Sequence, residues 1–223
     1  MNKPKMSSID EPLAYEVLPI FPLPIYKTNI GRKFTKEEQD ELDVIISEQL
    51  TVIASSGIQG DQTTTKNLSI DKYLLNRKSF LSIQSFIKLH LKEFATSVIG
   101  IDTVKASWLP HITKSWLNVY KPKENHYDPP HNHHNCIISG VLYINCLELS
   151  DNIPDAIFFA PTAHHMLEEF ELPITQYTIF SDKPFPVSVV EGDLVLFPST
   201  ALHSVNPNNT LDQNRISLSF NSI

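Results

Sequence analysis

After residue 106 the sequence breaks into short β-prone runs, and no other feature narrows the fold as much. SWLNVY, ISGVLYINC, AIFFA, TQYTIF, VSVV, LVLFP and RISLSF follow one another, each bounded by Pro, Asn, Asp or Gly. Many short strands separated by turn residues predict a sandwich or a closed jelly roll. Helical periodicity is confined to the first half. TKEEQDELDVIISEQL opens on Thr35 with Glu38 three residues on, the pattern of a capping box. A second helix is expected over 78–98, where Phe80, Ile83, Phe86, Ile87 and Leu91 recur at three- and four-residue steps. Residues 15–30 alternate apolar residues with prolines and read as an edge strand or extended entry segment. Residues 51–70 read as a polar loop and 1–12 as a loose arm. The expected fold is mainly β with flanking helices. A double-stranded β-helix (jelly-roll) core over 107–223 packs against an N-terminal strand and helices over 13–106, in a single domain spanning 1–223.

Charge and cysteine usage exclude several classes. A net charge of −7 argues against the broad basic surface that nucleic acid requires. No apolar run approaches the roughly 20 residues that span a bilayer, so no membrane partner is expected. Two cysteines, Cys136 and Cys146, cannot staple a chain of this size, and the N-terminus carries no signal-peptide pattern. A reducing cytoplasm is the expected location.

The chemistry concentrates in NHYDPPHNHHN, residues 125–135. On an extended backbone alternate residues share a face, so His131 and His133 can point at one metal ion. A third imidazole is available at His203, beyond the apolar run Leu194–Phe197 and the break at Pro198-Ser199. The strand RISLSFN then places Arg215, Ser217, Ser219 and Asn221 on one face and Ile216, Leu218 and Phe220 on the other. The apolar side is expected to meet the helices and the polar side to line a pocket. An arginine with a neighbouring hydroxyl is what a buried dicarboxylate requires, because guanidinium offers bidentate, charge-assisted hydrogen bonds. SWLNVY repeats the alternation, with Trp116, Asn118 and Tyr120 on one face. Asn118, Tyr120 and Tyr143 are therefore further candidates for the same ligand.

Taken together, SWLNVY, HNHHNCIISGVLYI, GDLVLFPSTALHSVNPN and RISLSFN resemble a bacterial and phage family of 2-oxoglutarate/Fe(II) oxygenases. The resemblance covers roughly residues 107–223, and more loosely the F-P-x-P-I-Y entry and the LLNRKSF segment. It implies His131, His133 and His203 as metal ligands, Fe(II) as the metal, and Arg215 with Ser217 as the grip on the distal carboxylate of 2-oxoglutarate. The implied partners are 2-oxoglutarate, O₂ and an unidentified substrate. The implied reaction is oxidative decarboxylation of 2-oxoglutarate to succinate coupled to substrate hydroxylation.

Several alternatives stay open at this level. The wider superfamily supplies two histidines and a carboxylate, whereas H-N-H supplies a second neutral imidazole and leaves the site one unit more positive. His126 and Asp128 spell the usual H-x-D and form a rival ligand register, with His131 and His133 then left in a loop. A cupin-like three-histidine metalloenzyme that does not use 2-oxoglutarate would keep the imidazoles but leave Arg215 without a purpose. A non-catalytic jelly-roll binding module would keep the pocket without turnover. The remaining candidates have plainer expectations. His90 is a packed or surface residue of the second helix, and His164 and His165 lie in a solvated loop. In the His131/His133 register His126 and His134 sit at the pocket rim or on the surface, Cys136 is a buried structural thiol, and Trp116 is core. The substrate and the oligomeric state are not written in the sequence.

Overall fold

A computed structural model of the chain describes residues 22–56, 72–122, 127–146, 155–160, 184–208 and 212–223. The extended entry segment supplies a short strand, β1 (Tyr26–Asn29), and the capping-box sequence supplies α1 (Lys36–Ser56). The box closes in both directions. The Glu38 N–H donates to Thr35 Oγ1 at 3.2 Å, and the Thr35 N–H donates to Glu38 Oε2 at 2.8 Å. Buried Glu38 also receives both terminal nitrogens of Arg32, at 2.8 and 2.6 Å. The predicted 78–98 helix is built in three pieces. A 3₁₀ turn (Lys78–Phe80) leads into α2 (Leu81–Glu93), and a π-helical turn (Phe94–Val98) ends it. Phe80, Ile83, Ile87, Leu91 and Phe94 all face inward, as their spacing requires. His90 hydrogen-bonds through Nδ1 to the Tyr26 hydroxyl at 2.7 Å and packs edge-on against Phe86, so it is a packed residue.

Eight further strands follow: β2 (Ile112–Tyr120), β3 (Asp128–His131), β4 (Ile138–Asn145), β5 (Ala156–Phe159), β6 (Phe185–Ser188), β7 (Asp193–Pro198), β8 (His203–Val205) and β9 (Arg215–Ser222). They form two antiparallel sheets, β1-β7-β4-β9-β2 and β3-β8-β5-β6. This is the jelly-roll core, mainly β with two helices, that the strand succession predicts. The TQYTIF run and the loop carrying His164 and His165 lie outside the described residues.

Strand alternation sorts the five-stranded sheet into two environments. Leu117, Val119, Ile138, Leu142, Leu194, Leu196, Leu218 and Phe220 share one core with the helical residues Ile83, Ile87, Leu91 and Phe94. Tyr143, Val195 and Phe197 turn the other way and form a second core with Ile157 and Phe159 of the four-stranded sheet. The helices thus close one face of the large sheet and leave its polar-bearing face for the space between the sheets.

Gly140, in the middle of β4, is where this packing is tightest. A Cβ built there would lie 2.3 Å from Phe220 Cζ and 2.7 Å from Leu196 Cδ2. Both neighbours belong to the helix-side core, so there is no open space for them to retreat into. Gly140→Ala is expected to lower stability by about 1–3 kcal/mol through overpacking. Urea unfolding of the two proteins measures this, and an unshifted midpoint would show that the Phe220 ring can move aside.

Candidate active site

The histidines converge because two hairpin-like segments are laced together above the large sheet. His131 ends β3 and pairs directly with His203, the first residue of β8. β3 is an edge strand that carries Pro129-Pro130, and its register slips by one residue between Asp128 and His131. Proline, lacking an N–H, is tolerated at such an edge and at such a bulge. The strand stops at His131, so strand alternation alone does not carry His133. That residue is placed by its backbone N–H, which donates to Ser199 O at 2.9 Å. The F-P-S turn holds the same loop twice more: Ser199 Oγ donates to Cys136 O at 2.5 Å, and the Ser199 N–H donates to Ile137 O at 3.0 Å. Asn135, at φ 59°, takes the left-handed conformation that turns the chain back into β4, a conformation asparagine tolerates better than most residues.

The result is a compact triad. One nitrogen from each of His131, His133 and His203 lies within 4.8 Å of the others. His131 Nδ1 donates to Pro129 O at 2.8 Å, and His203 Nδ1 donates to Ala201 O at 3.0 Å. A carbonyl only accepts, so these bonds place the proton on Nδ1 and leave the Nε2 lone pair for a ligand. His203 is buried and its ring packs against Phe197 at 4.7 Å. His133 stacks on Trp116 at 5.7 Å with an interplanar angle of 25°. Trp116 is buried, as core status predicts, but its ring faces the cavity and braces a candidate ligand.

A cavity of about 340 Å³ opens below the triad. Trp116, Asn118 and Tyr120 of β2, Val141 and Tyr143 of β4, and Arg215, Ser217 and Ser219 of β9 line its floor. His131, His133, His203, Asn118, Tyr120, Tyr143, Arg215 and Ser217 therefore line one space, whereas Asn221, expected on the same face of β9, is not part of the lining. Neighbouring strands fix the arrangement: Tyr120 pairs with Arg215, and Ser217 pairs with both Asn118 and Tyr143. Asn118 Nδ2 donates to Ser219 Oγ at 2.9 Å. Burial, and then the nearby Asp128 carboxylate, push the Tyr120 phenol well above its usual range; burial and Asp155 do the same for Tyr143. Both phenols are neutral hydrogen-bonding groups at ordinary pH.

Arg215 is 3% exposed. Nη1 donates to Asp155 Oδ1 at 3.0 Å, Nη2 donates to Asn206 O at 2.5 Å, and the guanidinium carbon lies 4.2 Å from the centre of the Tyr120 ring. Nε is buried with no hydrogen-bond partner among the described residues. Asp155 and Asn206 are the members of this arrangement that sequence reasoning misses. Asp155 precedes a strand, where an aspartate reads as turn punctuation, and only the folded chain brings it to the arginine.

The other sequence expectations resolve as follows. Asp128 lies on the cavity wall, but its carboxylate accepts the Tyr120 hydroxyl at 2.5 Å and it stands apart from the three-histidine group. His126, its partner in the rival register, is outside the described residues. His134 is exposed, in keeping with a rim position. Cys136 is half-buried rather than buried, because the loop it follows is covered on one side only by the F-P-S turn; its Sγ lies 3.8 Å from Ser139 Oγ.

Residues 114–221 match the model of a family described as "Putative 2OG-Fe(II) oxygenase". The match covers just under half of the chain, and over that span the chain is similar to the 2-oxoglutarate/Fe(II) oxygenases. A family of this description uses iron and 2-oxoglutarate. The residues present fit both groups. Three imidazoles with two Nδ1 protons tied down suit a divalent iron, and a buried arginine with an unspent Nε–H suits a carboxylate.

Many solved structures are similar to the chain, among them the following three. An oxidoreductase of the 2OG-Fe(II) oxygenase family from Burkholderia pseudomallei is 11% identical with a TM-score of 0.40, over 67% of this chain and 53% of that one. The chain thus spans about half the length of that protein. AviO1 from Streptomyces viridochromogenes Tue57 is 13% identical with a TM-score of 0.49, over 88% of each chain. A prolyl-4-hydroxylase from Pseudomonas putida is 15% identical with a TM-score of 0.46, over 89% of this chain and 92% of that one. No protein of curated function matches the sequence. Among the described residues no helix is long and apolar enough to cross a membrane.

Proposed function

We propose that the chain is an oxygenase that hydroxylates its substrate, with His131, His133 and His203 holding Fe(II) and Arg215 with Ser217 receiving the distal carboxylate of 2-oxoglutarate. The observation that carries the reading is the meeting, in one cavity, of the triad and a buried arginine whose Nε–H is unspent. Iron with 2-oxoglutarate and O₂ supplies the oxidising power, consuming the co-substrate as succinate and CO₂.

The protein's share is position and dryness. Pro129 O and Ala201 O hold two imidazoles in the tautomer that presents Nε2, and Trp116 keeps the third ring from turning. At the far end the guanidinium has five N–H donors, of which Asp155 and Asn206 engage two. The remaining donors, with the Ser217 hydroxyl beside them on β9, form a carboxylate seat. The neutral Tyr143 phenol lines the same end and Asn118 the floor between, so both contribute hydrogen bonds without adding charge. Phe197, Ile157 and Val205 supply the apolar walls that exclude water. In this reading the helices of 13–106 serve as a rigid backing for the jelly-roll strands of 107–223, and the whole chain works as one oxygenase unit.

The test is succinate formation from 2-oxoglutarate by protein loaded with Fe(II) under anaerobic conditions and then given O₂, with 2-oxoglutarate binding read in the same samples. Binding together with slow, iron-dependent succinate production is expected even before a substrate is found. A protein that holds iron yet neither binds nor consumes 2-oxoglutarate would refute the assignment.

A further inference from the structure

Behind Arg215, at the far end of the cavity, lies a charge that the proposed reaction does not use. Asp155 sits immediately before β5 and is fixed there by its own backbone: its carbonyl accepts the Val189 N–H at 2.8 Å, and its Oδ1 accepts the Ala156 N–H at 3.0 Å. The same Oδ1 receives Arg215 Nη1 at 3.0 Å. The two side chains are 9% and 4% exposed, so neither can swing into solvent to release the other. Arg215 is the only arginine or lysine lining the cavity among the described residues, and Asp128 adds a further carboxylate on the wall beside Tyr120. An incoming dicarboxylate therefore meets a guanidinium that already has an anionic partner, with no second cation to share the load.

We infer that Asp155 is a specificity-determining residue: by pairing with Arg215 it cancels the charge at the far end, so the site receives a neutral amide tail almost as readily as a carboxylate. This rests on the reading of Arg215 as the seat for the co-substrate tail. A lone buried guanidinium strongly prefers an anion, because an uncompensated charge in a low-dielectric setting gains most from an opposite one. With Asp155 behind it, Arg215 presents hydrogen-bond donors to the cavity without an uncompensated charge. The oxygen of a primary amide accepts from those N–H groups as a carboxylate oxygen does. A carboxylate gains the same donors but is repelled by Asp155 at short range.

Calorimetric titration of Mn(II)-loaded protein, in the absence of turnover, separates these cases with three ligands that share the metal-binding 2-oxo acid end. They are 2-oxoglutarate, its distal amide 2-oxoglutaramate, whose affinity is referred to the open-chain form quantified by NMR because the amide closes reversibly to a lactam, and 2-oxovalerate, which has no polar tail. In the wild type, 2-oxoglutarate and 2-oxoglutaramate are expected to bind within about fivefold of each other. In Asp155→Asn, 2-oxoglutarate is expected to tighten by about tenfold or more and 2-oxovalerate to change less than about twofold. The variant is checked for folding by its thermal midpoint. Wild-type preference for 2-oxoglutarate over the amide by more than about a hundredfold would overturn the inference without any variant. So would an Asp155→Asn protein that binds 2-oxoglutarate no tighter, or that tightens all three ligands equally. A wild type that binds 2-oxovalerate as well as 2-oxoglutarate and its amide would instead remove the Arg215 seat, and the inference with it.

Discussion

His203→Ala is expected to weaken iron binding by two to three orders of magnitude while the protein stays folded. Three donors from three backbone positions make the proposed centre, and His203 is the most buried of them. Its Nδ1 is committed to Ala201 O and its ring to Phe197, so the Nε2 lone pair has its direction set before any metal arrives. Losing a preorganised ligand removes both a bond and that preorganisation; loss of an outer-shell partner alone typically costs 10–100-fold in affinity, and loss of the ligand exceeds it. The strand itself is secured by backbone pairing to β3 and β5, which the substitution leaves intact. Competition with a calibrated chelator under anaerobic conditions measures the effect, alongside circular dichroism. Wild-type affinity in the variant would exclude His203 from the centre and bring the His126–Asp128 register forward.

Arg215→Ala should abolish measurable 2-oxoglutarate binding, a loss of at least about a hundredfold, with iron affinity within about threefold of wild type. The single substitution carries a second effect that must be separated from the first. It leaves Asp155 buried and unpaired, and breaking a buried pair by removing one partner costs about 3–5 kcal/mol. Replacing both partners together, Arg215→Met with Asp155→Asn, removes the charges as a unit and should recover most of that stability. The double variant should still fail to bind 2-oxoglutarate. Calorimetry for binding and urea unfolding for stability read the two effects independently. A double variant that is stable and binds 2-oxoglutarate as the wild type does would take Arg215 out of the co-substrate seat.

Much of this centre can be read from the chain alone, for a definite reason. Side-chain direction along a strand is local, with a period of two, so RISLSFN already assigns Arg215, Ser217 and Ser219 to one face and Leu218 and Phe220 to the other. SWLNVY does the same for Trp116, Asn118 and Tyr120. The cavity floor and the helix-facing core follow from those two patterns, and the capping box at Thr35 and Glu38 is equally local. The clustered histidines could be nominated because their types and spacing limit what they can do.

What the tertiary structure alone decided are contacts between segments far apart in sequence. Asp155 and Arg215 stand 60 positions apart, and nothing in NIPDAIFF marks its aspartate as the partner of a buried cation. His133 lies beyond the end of β3 and is aimed by Ser199 and Trp116, not by strand alternation. Asp128 had the spacing of a ligand and is instead bonded to Tyr120, across the gap between the two sheets. Periodicity tells which way a side chain points; which charge it meets there depends on how the sheets are laid over one another, and that is a property of the whole chain.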